Sequence, residues 1–236
     1  MQKKLSGREI GETAFMVGYL LFLLIVGIIS YIDKNYLLVI LVLFLGIGDS
    51  FHLIPRIIKN IKGDFKNSDF FLGLGSQISS ITMTIFYLLL INAYDIFAVS
   101  YAPPPFNQKI TLLSTIKQFM EGTVNLINFP KEYLIGSITV YLTLIRIILC
   151  LFPNNNWYKE EGNQVWAVIR NIPFVIIGLL AVVTVFKLEY IYLGILIILS
   201  FLFYLPVALF AKKSPKLGML MIPKTICYIL MIIYFL

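Results

Sequence analysis

Seven stretches of this chain are apolar for about 20 residues each, the length an α-helix needs to cross a bilayer core. They lie near residues 13–31, 36–54, 74–94, 133–152, 165–186, 190–210 and 218–236. Short polar stops separate them. Asp33-Lys34-Asn35 divides the first two, and Pro153-Asn154-Asn155-Asn156 ends the fourth. Pro55 is expected to end or kink the second helix, and Pro206 to bend the end of the sixth. The pattern predicts an all-α polytopic membrane protein, a seven-helix bundle forming a single transmembrane domain over residues 1–236.

The longest connection, residues 95–132, contains Pro103-Pro104-Pro105. Within it, residues 111–129 carry Leu112, Leu113, Ile116, Phe119 and Met120 among Ser114, Lys117, Gln118 and Glu121. That spacing suits an amphipathic helix, either packed on the bundle or lying in the membrane interface. No repeat relates one half of the chain to the other.

Composition agrees with the pattern. The 236 residues are 59% hydrophobic and 13% charged, with a mean hydropathy of +0.90. The net charge of +7 comes from Lys and Arg scattered among loops and helix ends. No basic face suits nucleic acid. The basic residues instead set orientation. Lys3, Lys4, Arg8, Arg56, Lys59, Lys62, Lys66, Lys159, Lys212, Lys213 and Lys216 fall on one side; Lys34, Lys109, Lys117, Lys131 and Lys187 fall on the other. The expected setting is the bacterial cytoplasmic membrane, with the N-terminus cytoplasmic and, after seven spans, the C-terminus extracytoplasmic. No convincing cleavage site follows the first run, which is expected to be a retained helix.

Charged side chains inside such runs are costly and face a protein interior or a watery cavity. Asp49, His52 and Arg56 close the second run, Arg146 lies within the fourth, and Arg170 and Asn171 open the fifth. On a helix, Asp49, His52 and Arg56 share one broad face, with Asp49 and Arg56 about 10 Å apart along the axis. Gln77 and Ser80 on the third helix fall at the same level, among hydroxyl residues that also suit helix packing. Topology brings all eight to the cytoplasmic half. They either pin the helices together or surround one polar cavity. Asp49 is the expected buried partner of Arg146, but the arginines outnumber the buried carboxylates. The surplus suits an anionic lipid headgroup or a small anion.

Several chemistries are disfavoured. One histidine and no Cys/His spacing leave no zinc site, and no metal or other cofactor is expected. Cys150 and Cys227 lie in apolar runs and are expected to be buried free thiols. No G-x-S-x-G elbow is present, and a triad of Asp49, His52 and Ser50 or Ser80 needs improbable geometry. Lys224 lies near one end of its span, a poor position for a retinal Schiff base. Acid–base chemistry is easier to build. Asp49 and His52 would carry protons, Arg56, Arg146 and Arg170 would hold a phosphate, and Gln77 or Asn171 would orient water.

The segment LVLFLGIGDSFHLI, followed by FFLGLGSQISSITMTIFYLLL, resembles the paired-helix pattern of the YhhN-type lysoplasmalogenases. These are multispanning enzymes that cleave the vinyl-ether bond of lysoplasmalogens. The resemblance covers the second and third spans and implies a Gly48-Asp49 pair in a lipid-facing cavity. No second catalytic aspartate can be carried over. The leading expectation is therefore a cytoplasm-facing, metal-independent lipid hydrolase acting on a lysophospholipid or ether lipid. The rivals are a transporter or receptor for a small anion, and a structural membrane protein.

Overall fold

The computed structural model describes residues 6–100, 111–128, 133–158, 163–210 and 215–236. The triple proline at 103–105, and Lys3, Lys4, Lys109, Lys131, Lys159, Lys212 and Lys213 of the orientation argument, lie outside the described residues. Among the described residues eight α-helices follow in order: α1 (Gly7–Ile32), α2 (Tyr36–Lys62), α3 (Ser68–Ser100), α4 (Leu112–Leu126), α5 (Leu134–Leu151), α6 (Gln164–Lys187), α7 (Ile191–Phe210) and α8 (Met221–Phe235). A 3-10 turn, Pro215–Leu220, leads into α8. Seven segments are long and apolar enough to span a membrane: α1, α2, Ser68–Ile91 of α3, α5, α6, α7, and Leu217–Phe235. The protein is an integral membrane protein with a seven-span helical bundle. The shorter α4 occupies the segment where the sequence predicts an amphipathic helix.

Local chemistry sets the helix ends. Ser6 and Glu9 form a reciprocal capping box at the start of α1. Lys34, at φ 60°, turns the chain, and the Asn35 side chain accepts from the Leu38 N–H to cap α2. Thr111 and Ser114 cap α4. Asn163 accepts from the N–H groups of Val165 and Trp166 to cap α6.

Several boundaries differ from the sequence reading. α2 runs on past Pro55 for two more turns and stops at Gly63, where φ is 83°. α3 begins six residues earlier than the apolar run and continues to Ser100. α7 ends at Phe210, where the sequence reading ends the sixth span, with Pro206 inside the helix. At the end of α2 and the start of α3, polar residues extend the helix beyond the apolar stretch.

α3 is the central helix. It packs on α2, α4, α5 and α6, while α8 packs on α7 and touches α2. Its span is 56% buried, against 28% for the spans of α1, α7 and α8. Phe86, Tyr87, Leu89, Leu90 and Ile91 of α3 fill the core with Leu38, Leu41 and Leu45 of α2 and Ile177 of α6. Outward positions such as Leu21, Leu24, Ile25 and Ile28 remain exposed. In a bilayer these meet lipid tails, so helix association depends on close packing and internal polar contacts.

Two glycines let α2 and α3 approach closely. A Cβ on Gly48 would collide with the Thr82 side chain, and one on Gly75 with the backbone of Phe51 and His52. The second contact follows from Pro55. Proline has no N–H to offer the carbonyl four residues earlier, here that of Phe51. That carbonyl faces Gly75 across the crossing.

Candidate functional site

A cavity of about 460 Å³ opens at the end of the bundle where α1 begins. Glu12 and Tyr19 of α1 line it, with Asp49, His52 and Arg56 of α2 and Ser76, Ser79 and Ser80 of α3. Arg146 enters from the end of α5, Arg170, Asn171 and Phe174 from α6, Tyr204 from α7, and Lys224 from α8. Because neighbouring spans alternate in direction, the ends of α2, α5 and α7 meet the starts of α1, α3, α6 and α8 here. The cavity thus gathers seven of the eight residues singled out from sequence: Asp49, His52, Arg56, Ser80, Arg146, Arg170 and Asn171.

Gln77 is the exception. It does not line the cavity. Its amide donates to the Cys150 carbonyl at 3.2 Å and its oxygen accepts from the Tyr158 hydroxyl at 3.0 Å. It lies on another face of α3 from Ser76 and Ser80 and ties that helix to the end of α5.

Asp49 is held from two helices. The Tyr19 hydroxyl donates to Oδ2 at 2.6 Å, and the Ser79 hydroxyl donates to Oδ1 at 3.3 Å. Gly48 supplies the close approach that puts Ser79 within reach. One turn on, His52 Nδ1 lies 3.3 Å from Ser76 Oγ. Ser76 donates its own proton to the Leu72 carbonyl at 2.9 Å, which leaves Oγ to accept from the His52 N–H. Ser80 donates to the Ser76 carbonyl at 2.8 Å. Neither serine is arranged as a nucleophile activated by His52. Among the described residues no hydrogen bond joins Asp49 to His52, so these groups form no triad.

The opposite wall is cationic. Arg146 is 1% exposed, and its guanidinium lies 3.4 Å from the centre of the Phe174 ring. Among the described residues its Nε and Nη1 have no hydrogen-bond partner. The expected pairing of Arg146 with Asp49 is absent. Ion pairs among the described residues join Arg8 and Arg56 to Glu12, Lys59 to Asp64, and Lys117 to Glu121. The difference has a geometric cause: α5 packs mainly on α3 and α6, and the Arg146 guanidinium lies over the Phe174 ring of α6.

Arg170 donates to Asn155 Oδ1 at 2.8 Å and lies over the Trp157 ring at 4.1 Å. Asn155, buried in the turn after α5, also donates to the Leu149 and Phe152 carbonyls. Asn171 donates to the Ala167 carbonyl and accepts from the Tyr204 hydroxyl at 2.9 Å, joining α6 to α7. Both its side-chain ends are engaged, which suits it less to orienting water. At the mouth, Arg56 stands 4.0 Å from Glu12, which Arg8 also binds at 2.8 Å.

Lys224 is the main residue that sequence reasoning missed. It is 7% exposed, and its ammonium lies 5.0 and 5.1 Å from the Tyr204 and Tyr228 rings. Its position near one end of its span counts only against a retinal Schiff base, but that end abuts the cavity. The rule that flagged Arg146, charge within an apolar run, applies equally to it. Tyr19 and Tyr204 carried no comparable signal, since tyrosines are common along these helices.

Cys150 and Cys227 are buried free thiols. Among the described residues, no three His, Cys, Asp or Glu side chains gather to hold a metal ion. The arrangement can bind an anion between several cations and can move a proton at Asp49. Comparison of the chain with family models, characterised proteins and solved structures gives no match.

Proposed function

We propose that the protein is a lipid-active membrane enzyme which binds an anionic headgroup in this cavity and hydrolyses a lysophospholipid or ether lipid by acid–base chemistry. The carrying observation is that Asp49 shares one cavity with Arg146, Arg170 and Lys224, none of which has a carboxylate of the described residues within ion-pair distance. Uncompensated charge inside a membrane protein is costly. A bound anion offsets that cost, and the apolar spans around the cavity accommodate a lipid tail.

Hydrolysis adds water across a carbon–oxygen bond. At an ester, the water oxygen joins the carbonyl carbon and a proton goes to the leaving alcohol. At a vinyl ether, a proton joins the outer alkene carbon and water adds to the carbon bearing oxygen. The resulting hemiacetal then parts into an aldehyde and an alcohol. Either course needs one group that takes and returns a proton. Asp49 is placed for it, held by Tyr19 and Ser79, and His52 stands one turn away. The resemblance of the α2–α3 segment to lysoplasmalogenases favours the ether-lipid course. The Lys and Arg bias of the sequence supports a cavity that faces the cytoplasm.

The test is mass spectrometry of lysoplasmalogen and lysophospholipid after incubation with purified wild-type protein and with folded Asp49→Asn protein. Product from the wild type alone supports the assignment; equal turnover by both removes Asp49 from the chemistry. A second reading, a carrier for a small anion, draws on the same unpaired cations. Saturable anion uptake without product formation would select it.

A further inference from the structure

We propose that the ligand of this cavity carries a dianionic phosphomonoester, received by Arg146, Arg170 and Lys224. This deepens the headgroup reading above and rests on it. The argument is a count of charge by position. At the mouth, Glu12 is shared by Arg56 and Arg8, at 4.0 and 2.8 Å. Beyond that cluster, Arg146, Arg170 and Lys224 share the cavity with one carboxylate of the described residues, Asp49. Two positive charges remain without an anion.

A phosphodiester headgroup bearing choline or ethanolamine brings one negative charge and adds a positive one. A phosphomonoester brings a charge of about −1.5 to −2 near neutral pH and three acceptor oxygens. It matches the excess, and its oxygens can take donors from several sides.

The donors have the right character. Arg146 is 99% removed from solvent by its 1% exposure, and two of its nitrogens lack any acceptor. Arg170 spends Nη1 on Asn155; no hydrogen bond to a described residue engages its other two nitrogens. Among the described residues Lys224 makes ring contacts at 5.0 and 5.1 Å and no hydrogen bond or ion pair. Two planar guanidinium groups and one point charge suit a phosphate better than a flat carboxylate. The phosphate could belong to a single-chain lipid or be free in solution, and the experiment separates these sources.

The experiment measures binding to the full-length protein in detergent, with three probes: 1-oleoyl-glycerol-3-phosphate, the matching lysophosphatidylcholine, and inorganic phosphate. The monoester lipid is expected to bind at least about tenfold more tightly than the choline lipid, and Lys224→Met to weaken it roughly 30-fold or more. Lys224→Arg should recover most of the loss. Arg170→Gln serves as a second variant if Lys224→Met does not fold.

Equal affinity for the two lipids overturns the dianion assignment and leaves the broader headgroup reading standing. Unchanged affinity in both folded variants also overturns it. Tight binding of the monoester lipid without turnover supports the phosphate site while removing ester hydrolysis of that lipid. Inorganic phosphate binding as tightly as the lipid supports the phosphate chemistry and assigns it to the free ion.

Discussion

The Tyr19 hydroxyl donates a 2.6 Å hydrogen bond to Asp49, fixing the carboxyl of α2 from α1. Tyr19 is 2% exposed, so water cannot replace the lost donor easily. Tyr19→Phe is expected to lower stability by about 1–2 kcal/mol. In a double-mutant cycle with Asp49→Asn, the two effects should be non-additive by on the order of 1 kcal/mol. Unfolding in detergent measures both. Additive losses would mean that the bond contributes nothing in solution.

Arg146 separates a binding cavity from a purely structural polar network. Among the described residues its guanidinium has two unpartnered nitrogens and no ion pair. An unpaired buried charge works against the fold. Arg146→Met should therefore leave stability unchanged or raise it by about 1 kcal/mol, while lipid binding falls at least about tenfold. A sharp drop in folded yield, with ligand affinity intact, would favour the structural role.

The α2–α3 crossing predicts an order among alanine variants. A Cβ on Gly75 would lie 2.8 Å from His52 Cα, and one on Gly48 would lie 2.9 Å from Thr82 Cβ. Gly75→Ala must displace backbone and should cost on the order of 1–3 kcal/mol; Gly48→Ala should cost less. Gly18 has nothing within 4 Å of its added Cβ. Gly18→Ala should then be neutral or gain about 0.5–1 kcal/mol from helix propensity. Melting temperatures of the three purified variants test the order.

Gln77 provides a control outside the cavity. Gln77→Leu removes its bonds to Cys150 and Tyr158, a loss of about 1 kcal/mol. Affinity for whatever lipid the wild type binds should not change. A tenfold weakening would place Gln77 back at the site.

The spans were legible because a bilayer demands continuous apolar length, and each run supplies it. Their ends were less so. Lys59 and Lys62 extend α2, and Ser68 and Asp69 begin α3, where helical structure no longer needs an apolar side chain. At the cavity, Asp49, Arg146 and Arg170 were legible because charge within an apolar run requires a reason. Their pairings were not, since helix adjacency decides those: α5 lies against α3 and α6, and Arg146 meets Phe174. Gln77 was misplaced by rotation about α3. Ser76, Ser79 and Ser80 line the cavity, while Gln77 reaches Cys150 and Tyr158 instead.

The Phe51 carbonyl, released by Pro55 and seated on Gly75, also fixes the register of two helices. Sliding α2 along α3 by one residue would bring that oxygen against a side chain. The two helices therefore travel together, with Asp49 opposite Ser79 and His52 opposite Ser76. That shared register keeps the α1–α3 side of the cavity in one arrangement, so Asp49 and His52 hold their places relative to Ser79 and Ser76.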